Sequence, residues 1–237
     1  MLPIIFLIIF SGISALQGPK EKLVRILAFG DSLTEGMLDF RKLEPFYPYA
    51  TVLQSLMKQL GDHVKVNHSG VSGERVNHSM RLRLQTELQR ASTQGIWYDW
   101  VILLGGINDI GYGADNITVF EGLLHMYKTI HRYEGKVVAV TCMENAASLD
   151  SEGQLRRSEE HRRQLNVLIR QYCMKHGVGD EGALLLDLDK LIPYVSLETE
   201  EKRLEMFSDG LHLTKKGYNK LAQLAYDVLK PMITAEL

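Results

Sequence analysis

The chain predicts a three-layer α/β/α sandwich around a five-stranded parallel sheet, and three features of its sequence carry that expectation. Short apolar runs alternate along the chain with amphipathic segments of helical period, the pattern of strands joined by crossover helices. The run Trp100–Leu104 is apolar at every position, as a parallel strand covered on both faces is. The runs before Gly30-Asp31-Ser32 and Gly105-Gly106-Ile107-Asn108-Asp109 stop abruptly, so polar side chains are delivered to the end of a sheet. With right-handed crossovers, five such strands suggest the flavodoxin-like order 2-1-3-4-5, in which the crevice lies beyond the carboxyl ends of strands one and three.

The first strand is the apolar run over residues 23–29. Residues 35–45 read as a polar loop with Met37, Leu38 and Phe40 scattered through it. Pro45 and Pro48 punctuate the entry to a helix over residues 49–60, where Val52, Leu53, Leu56, Met57 and Leu60 follow the helical period. Residues 63–67 alternate as a second strand and residues 69–74 form a turn-rich loop. Residues 75–90 form a helix with Val76, Met80, Leu84 and Leu88 on one face and its charges toward water. After the third strand, Asn116 is a natural N-cap for a helix reaching residue 133. Residues 136–142 form the fourth strand and residues 144–157 a polar loop. Ser158, followed by Glu159 and Glu160, opens a helix to residue 176, with acids near the positive end of its dipole. Residues 183–188 are the fifth strand, residues 193–207 a loop with a short helix, and Thr214 or Lys215 opens a last helix ending near Lys230-Pro231.

At 237 residues and 45% hydrophobic composition the chain can bury a full core. Its 27 basic and 29 acidic residues form no long run of either sign, so nothing marks it for nucleic acid or an anionic membrane, and a small or neutral molecule is the expected partner. Residues 2–10 are apolar, the small residues Ser11, Gly12, Ser14 and Ala15 follow, and the first charge comes at Lys20. This reads as a secretory signal peptide over residues 1–18, which leaves residues 19–237 as one domain, secreted and without stable membrane insertion. A retained signal anchor is the alternative, for which the run is short, since a bilayer span takes about 20 residues. Cys142 and Cys173 are either one disulfide or two buried thiols. Asn67, Asn77 and Asn116 each begin a glycosylation sequon, and Asn116, in a loop before a helix, is the best placed.

Ser32 is the candidate nucleophile. A serine hydroxyl needs a base within hydrogen-bond reach, and His212 near the C-terminus is a histidine in a second polar block, Ser208-Asp209-Gly210-Leu211-His212. Asp209, three residues before it, is close enough for one local turn to set its carboxylate on the imidazole. The oxyanion of an acyl-transfer intermediate needs donors already in place, and the Ser32 N–H, a glycine N–H and the Asn108 amide supply three. The glycine comes from the loop after the second strand, where Gly70 and Gly73 are both present. Met37, Leu38, Phe40, Ile110, Tyr112 and Leu211 are candidate wall residues; of these Met37, Leu38, Tyr112 and Leu211 are assigned to substrate binding, and they favour an apolar acyl group.

These blocks resemble the SGNH hydrolases, also called the GDSL esterase/lipase family. Gly30-Asp31-Ser32-Leu33 matches the family's first block, Ser72-Gly73 its glycine block, Gly106-Ile107-Asn108-Asp109 its third and Asp209-Gly210-Leu211-His212 its last. The resemblance implies a flavodoxin-like sheet, hydrolysis of esters without a metal or other cofactor, and functional roles for Ser32, Gly73, Asn108, Asp209 and His212. It also implies that the chain returns across the top of the sheet between residues 191 and 207.

Other chemistries fit less well. Gly30 to Gly36 is one residue too long for a phosphate-binding loop and is followed by Met37 rather than lysine. Gly111-Tyr112-Gly113 lacks the third glycine of a dinucleotide fingerprint. A non-catalytic binding protein on the same fold is the main alternative. A metal-dependent phosphoesterase, with Asp31, Asp109, Asp209 and His212 as ligands, is a further one.

Overall fold

The computed structural model describes residues 23–236 other than 155, 180 and 198, so the expected signal peptide lies outside the described residues. Five parallel strands, β1 (Val24–Gly30), β2 (Val64–Gly70), β3 (Trp100–Leu104), β4 (Lys136–Val140) and β5 (Ala183–Leu186), form one sheet of order β2-β1-β3-β4-β5. The expected order is the observed one.

Period-two alternation along the strands sorts side chains between two cores. From β1, Ile26 and Ala28 pack with α2 (Tyr49–Met57) and α9 (Lys215–Glu236) on one face. Leu27 and Phe29 pack on the other with α3 (Arg81–Thr93), α5 (Asn116–Arg132) and α6 (Arg157–His176). The described residues also form four short α-helices: α1 (Ser32–Glu35), α4 (Ile107–Gly111), α7 (Leu188–Leu191) and α8 (Glu200–Met206). Cys142 and Cys173 are free, buried thiols, which resolves the pairing left open by the sequence. Burial pushes them up to about 12 and about 11 respectively, so neither is a ready thiolate.

Several boundaries differ from expectation for identifiable reasons. β2 runs on to Gly70 because it stays paired with β1 up to Gly30. One wide helical turn, Val76–Met80, precedes α3; its first N–H groups, from Val76 and Asn77, are taken by Asp109 at 2.8 and 3.0 Å. The N-cap of α5 is Asp115 rather than Asn116: its carboxylate accepts the Thr118 N–H at 2.9 Å, while Asn116 Oδ1 lies 3.1 Å from His161 Nδ1. β4 and β5 end earlier, at Val140 and Leu186, and Leu188 already belongs to α7. The last helix passes through Pro231 to Glu236. Proline removes one ladder hydrogen bond, but Ile233 is fully buried beyond it and Glu236 pairs with Lys136, so tertiary contacts hold the final turn.

Candidate active site

Register brings the site together. Gly30 pairs with Gly70 on one side and with Leu104 on the other, so β1, β2 and β3 end at one level and their following residues share one rim. Ser32 opens α1 directly beyond β1, in the turn capped by Asp31, whose Oδ1 accepts the Leu33 N–H at 3.0 Å. The first N–H groups of a helix have no carbonyl one turn earlier, and the Ser32 N–H is one of these.

His212 reaches the same rim from the other end of the chain. After α8, Phe207 and Leu213 form an antiparallel bridge, and the Ser208 N–H donates to the His212 carbonyl at 2.8 Å, closing a five-residue loop that carries Asp209 and His212. Gly210 sits in it at φ +88, with Ala146 against the place of a side chain, so both backbone angle and space call for glycine there. The return across the sheet is held by Tyr194, edge-on to Phe207 at 5.0 Å, and by Arg203 Nε donating to the Tyr194 carbonyl.

Ser32 Oγ lies 2.9 Å from His212 Nε2, and His212 Nδ1 lies 2.7 Å from Asp209 Oδ2. Asp209 Oδ1 accepts the N–H groups of Leu211 and His212 at 3.0 and 2.7 Å, and Oδ2 also accepts the Phe40 N–H at 3.1 Å. Partial burial pushes this carboxyl up, but the His212 hydrogen bonds and the other donors outweigh it and hold the group at about 2. Asp209 is therefore an anion throughout the neutral range.

The loop after β2 supplies the glycine. Gly73 has φ +73 with open space on its Cβ side, and no acceptor among the described residues takes its N–H. Gly70 is committed to the ladder beside Gly30. Asn108 Nδ2 donates one proton to the Glu74 carbonyl at 3.0 Å, which fixes the amide plane and leaves its second proton for another acceptor.

Three charged residues hold these loops: Glu35 and Arg83, which sequence reasoning did not assign, and Asp109, whose residue type and place after the third strand suit a loop brace. Glu35 accepts the Ser72 N–H at 2.8 Å and also bonds the Ser72 hydroxyl, tying α1 to the residue before Gly73. Arg83, expected to face water, turns inward over the Phe29 ring at 3.9 Å. It donates to the Gly30 carbonyl at 2.8 Å, to Ser69 Oγ at 2.6 Å and to the buried Glu74 carboxylate at 2.7 Å. One residue thus braces the ends of β1 and β2 and the start of the glycine loop. Its place at the border of the Met80–Leu84 face was the only sequence signal for it. Asp109, through Val76 and Asn77, locks the third loop to the second.

The assigned wall residues separate. Tyr112 and Leu211 line a cavity that opens beside Asn108. Leu38 is buried in the core with Leu33 and Tyr49, and Met37 is half-buried with its carbonyl accepting from Tyr218. Leu38 therefore works as a packing residue rather than a wall of this cavity. Asp31, Asp109, Asp209 and His212 do not make a metal centre, and among the described residues no three His, Cys, Asp or Glu side chains are arranged to hold an ion.

Asp31 is fully buried, and its Oδ2 has no hydrogen-bond partner among the described residues. Burial pushes its carboxyl up to about 7, with the Leu33 N–H only partly offsetting it. The folded state therefore holds this proton more tightly than the unfolded chain does. Its contribution to stability is complete below the ordinary value of 3.8 and is lost as pH rises through about 7. Asp31→Asn keeps a capping oxygen and removes the titration. It should stabilise the protein by a few kcal/mol at pH 8 and by little at pH 4. Denaturant unfolding at both values checks this, and a variant no more stable than the parent at pH 8 would contradict it.

The profile of the GDSL-like Lipase/Acylhydrolase family matches residues 28–220, and the chain belongs to that family. Solved structures share its fold. A lipase/acylhydrolase from Enterococcus faecalis is 22% identical with a TM-score of 0.65, over 88% of this chain and 96% of that one. A GDSL-like lipase from Bacteroides thetaiotaomicron is 19% identical with a TM-score of 0.64, over 92% and 93%. An acetyl xylan esterase, AlAXEase, is 18% identical with a TM-score of 0.64, over 86% and 98%. No curated protein matches the chain in sequence.

Proposed function

We propose that this acylhydrolase is a serine esterase that cleaves carboxylic esters through an acyl-enzyme. The observation that carries the reading is the continuous hydrogen-bond chain from Ser32 Oγ through His212 to Asp209, with contacts of 2.9 and 2.7 Å. Ser32 Oγ attacks the ester carbonyl carbon as its proton passes to His212 Nε2. The oxygen of the tetrahedral intermediate takes hydrogen bonds from the N–H groups of Ser32 and Gly73 and from the free proton of Asn108 Nδ2. His212 then returns its proton to the leaving alkoxide, and the alcohol departs. Water, deprotonated by the same imidazole, attacks the acyl-Ser32 carbonyl; the bond to Ser32 Oγ then breaks as His212 returns the proton to that oxygen, and the carboxylic acid departs.

Turnover of nitrophenyl acetate by the purified protein tests this reading. Asn108→Ala should lower kcat about a hundred- to a thousandfold with KM changed far less, because its donor is needed most when the oxyanion forms. An inert wild-type protein would favour the binding-module alternative. The same reading places the mature chain outside the cytosol, supported by the apolar residues 2–10 and the small residues after them. N-terminal sequencing of chain recovered from culture medium checks it: an intact Met1 would argue against cleavage.

A further inference from the structure

Two cavities share a wall at this site, and they differ in chemistry. Ile107 and Leu211 line both. The first holds about 270 Å³ and opens beside Asn108. The second holds about 10 Å³ and is lined mainly by apolar side chains such as Leu33, Val140 and Met143. That is room for about one water-sized group.

The larger cavity has an apolar side and a polar side. Tyr112, held under the Arg75 guanidinium at 4.8 Å, and Leu211 form the apolar side. Asn145, Ser158 and Arg162 stand on the polar side with donors to spare. Asn145 spends its Oδ1 on the Ala147 N–H, and no acceptor among the described residues takes its Nδ2 protons. The Ser158 hydroxyl likewise has no partner among the described residues. Arg162 is buried, with Nε and one Nη2 proton on Glu159 and Nη1 on the Cys142 carbonyl and Asp189. Among the described residues no further acceptor takes the remaining Nη2 proton, and a Glu144 oxygen lies 4.0 Å from Nη2.

The carboxylate of this wall is already used. Glu159 takes Ser148 Oγ at 2.8 Å, Arg162 at 2.7 and 2.8 Å and Arg163 at 2.7 Å. Arg162 is in turn balanced by Glu159 and Asp189, so the wall offers donors without a net positive charge. An alkyl chain laid there would strand those donors without hydrogen bonds. A carboxylate or phosphate would find no uncompensated cation. A neutral group rich in oxygen acceptors satisfies the donors, and its C–H face can rest on Tyr112 and Leu211.

Resting on the esterase reading above, we infer that the substrate is an acetyl ester of a polyhydroxylated alcohol such as a sugar or glycerol. The acyl methyl enters the narrow slot lined by Leu33, and the oxygen-rich alcohol occupies the cavity bounded by Asn145, Ser158 and Arg162. The ester's apolar end and its oxygen-rich end are thereby matched to walls of the same character.

The experiment compares three esters with the full chain: an acetylated methyl glycoside, hexyl acetate, and the octanoyl ester of the same glycoside. Each kcat/KM is divided by that ester's alkaline hydrolysis rate to remove intrinsic reactivity. The glycoside acetate should exceed both others at least roughly tenfold. In the Asn145→Ala, Ser158→Ala double variant, its ratio to hexyl acetate should fall close to one. Equal rates for the two acetates, a preference for octanoyl, or a ratio untouched by the double variant would overturn the subsite assignment while leaving the esterase reading intact. Failure to hydrolyse any of the three esters and nitrophenyl acetate as well would overturn both.

Discussion

Ser32→Ala should reduce kcat for ester hydrolysis by about 10⁴- to 10⁶-fold while leaving the fold in place. Ser32 is 5% exposed, and its hydroxyl's hydrogen bond to His212 links two ends of the chain 180 residues apart. α1 does not depend on that bond: its N-cap is Asp31 and its C-cap is Gly36 in the left-handed region, neither altered by the substitution. Thermal unfolding within a few degrees of wild type together with lost turnover is therefore the expected pair of results. A variant that keeps a tenth of wild-type kcat would remove Ser32 from the reaction.

Asp209→Asn should cost about 10⁴-fold in kcat, and the reason lies in a count of donors. Four N–H groups converge on this carboxylate, two on each oxygen: Leu211 and His212 backbone on Oδ1, His212 Nδ1 and Phe40 backbone on Oδ2. An amide has one oxygen. If it keeps the backbone pair, its NH₂ faces Nδ1, and the imidazole must carry its proton on Nε2, where it can no longer accept from Ser32. If it flips, NH₂ faces two backbone donors and the loop is pushed open. Either way the base is lost, although the side-chain volume is unchanged. Stability should fall as well, since the charge held at about 2 is present in the native state across the neutral range. A variant with wild-type kcat would show that Asp209 does not set the tautomer.

The parts of this molecule legible in its sequence are those with local periodicity or a compact block. Alternation of apolar runs predicts five strands and their order, and the blocks around Ser32, Asn108 and His212 mark residues that the register of β1, β2 and β3 then places on one rim. What stayed hidden is polar and long-range. Arg83 bonds Gly30, 53 positions away, and Ser69, 14 positions away, and nothing in helical period tells a buried guanidinium from a solvated one. The Glu35–Ser72 tie likewise joins segments more than 30 residues apart. Adjacent Asp115 and Asn116 are both capping residues, and only backbone geometry chooses between them. Pro231 was an ordinary stop signal, overridden by the burial of Ile233.

The cavities show the same limit from the other direction. Leu38 and Tyr112 are both apolar or aromatic residues in loops near the rim, yet one is 6% exposed in the core and the other 75% exposed at the cavity. Asn145 and Ser158 carry no local signature of binding. Their significance lies in donors left without acceptors once the turn at Ala146–Ser148 and the start of α6 are packed together.

Covalent labelling tests the central claim most directly. After incubation of the native protein with a fluorophosphonate at neutral pH, peptide mass spectrometry should find one stoichiometric adduct, on the peptide containing Ser32 and assigned to its hydroxyl. The adduct should be absent from heat-denatured protein, in which His212 no longer faces that oxygen. A native protein that stays unlabelled, or one labelled equally well after denaturation, would contradict an activated serine at this position.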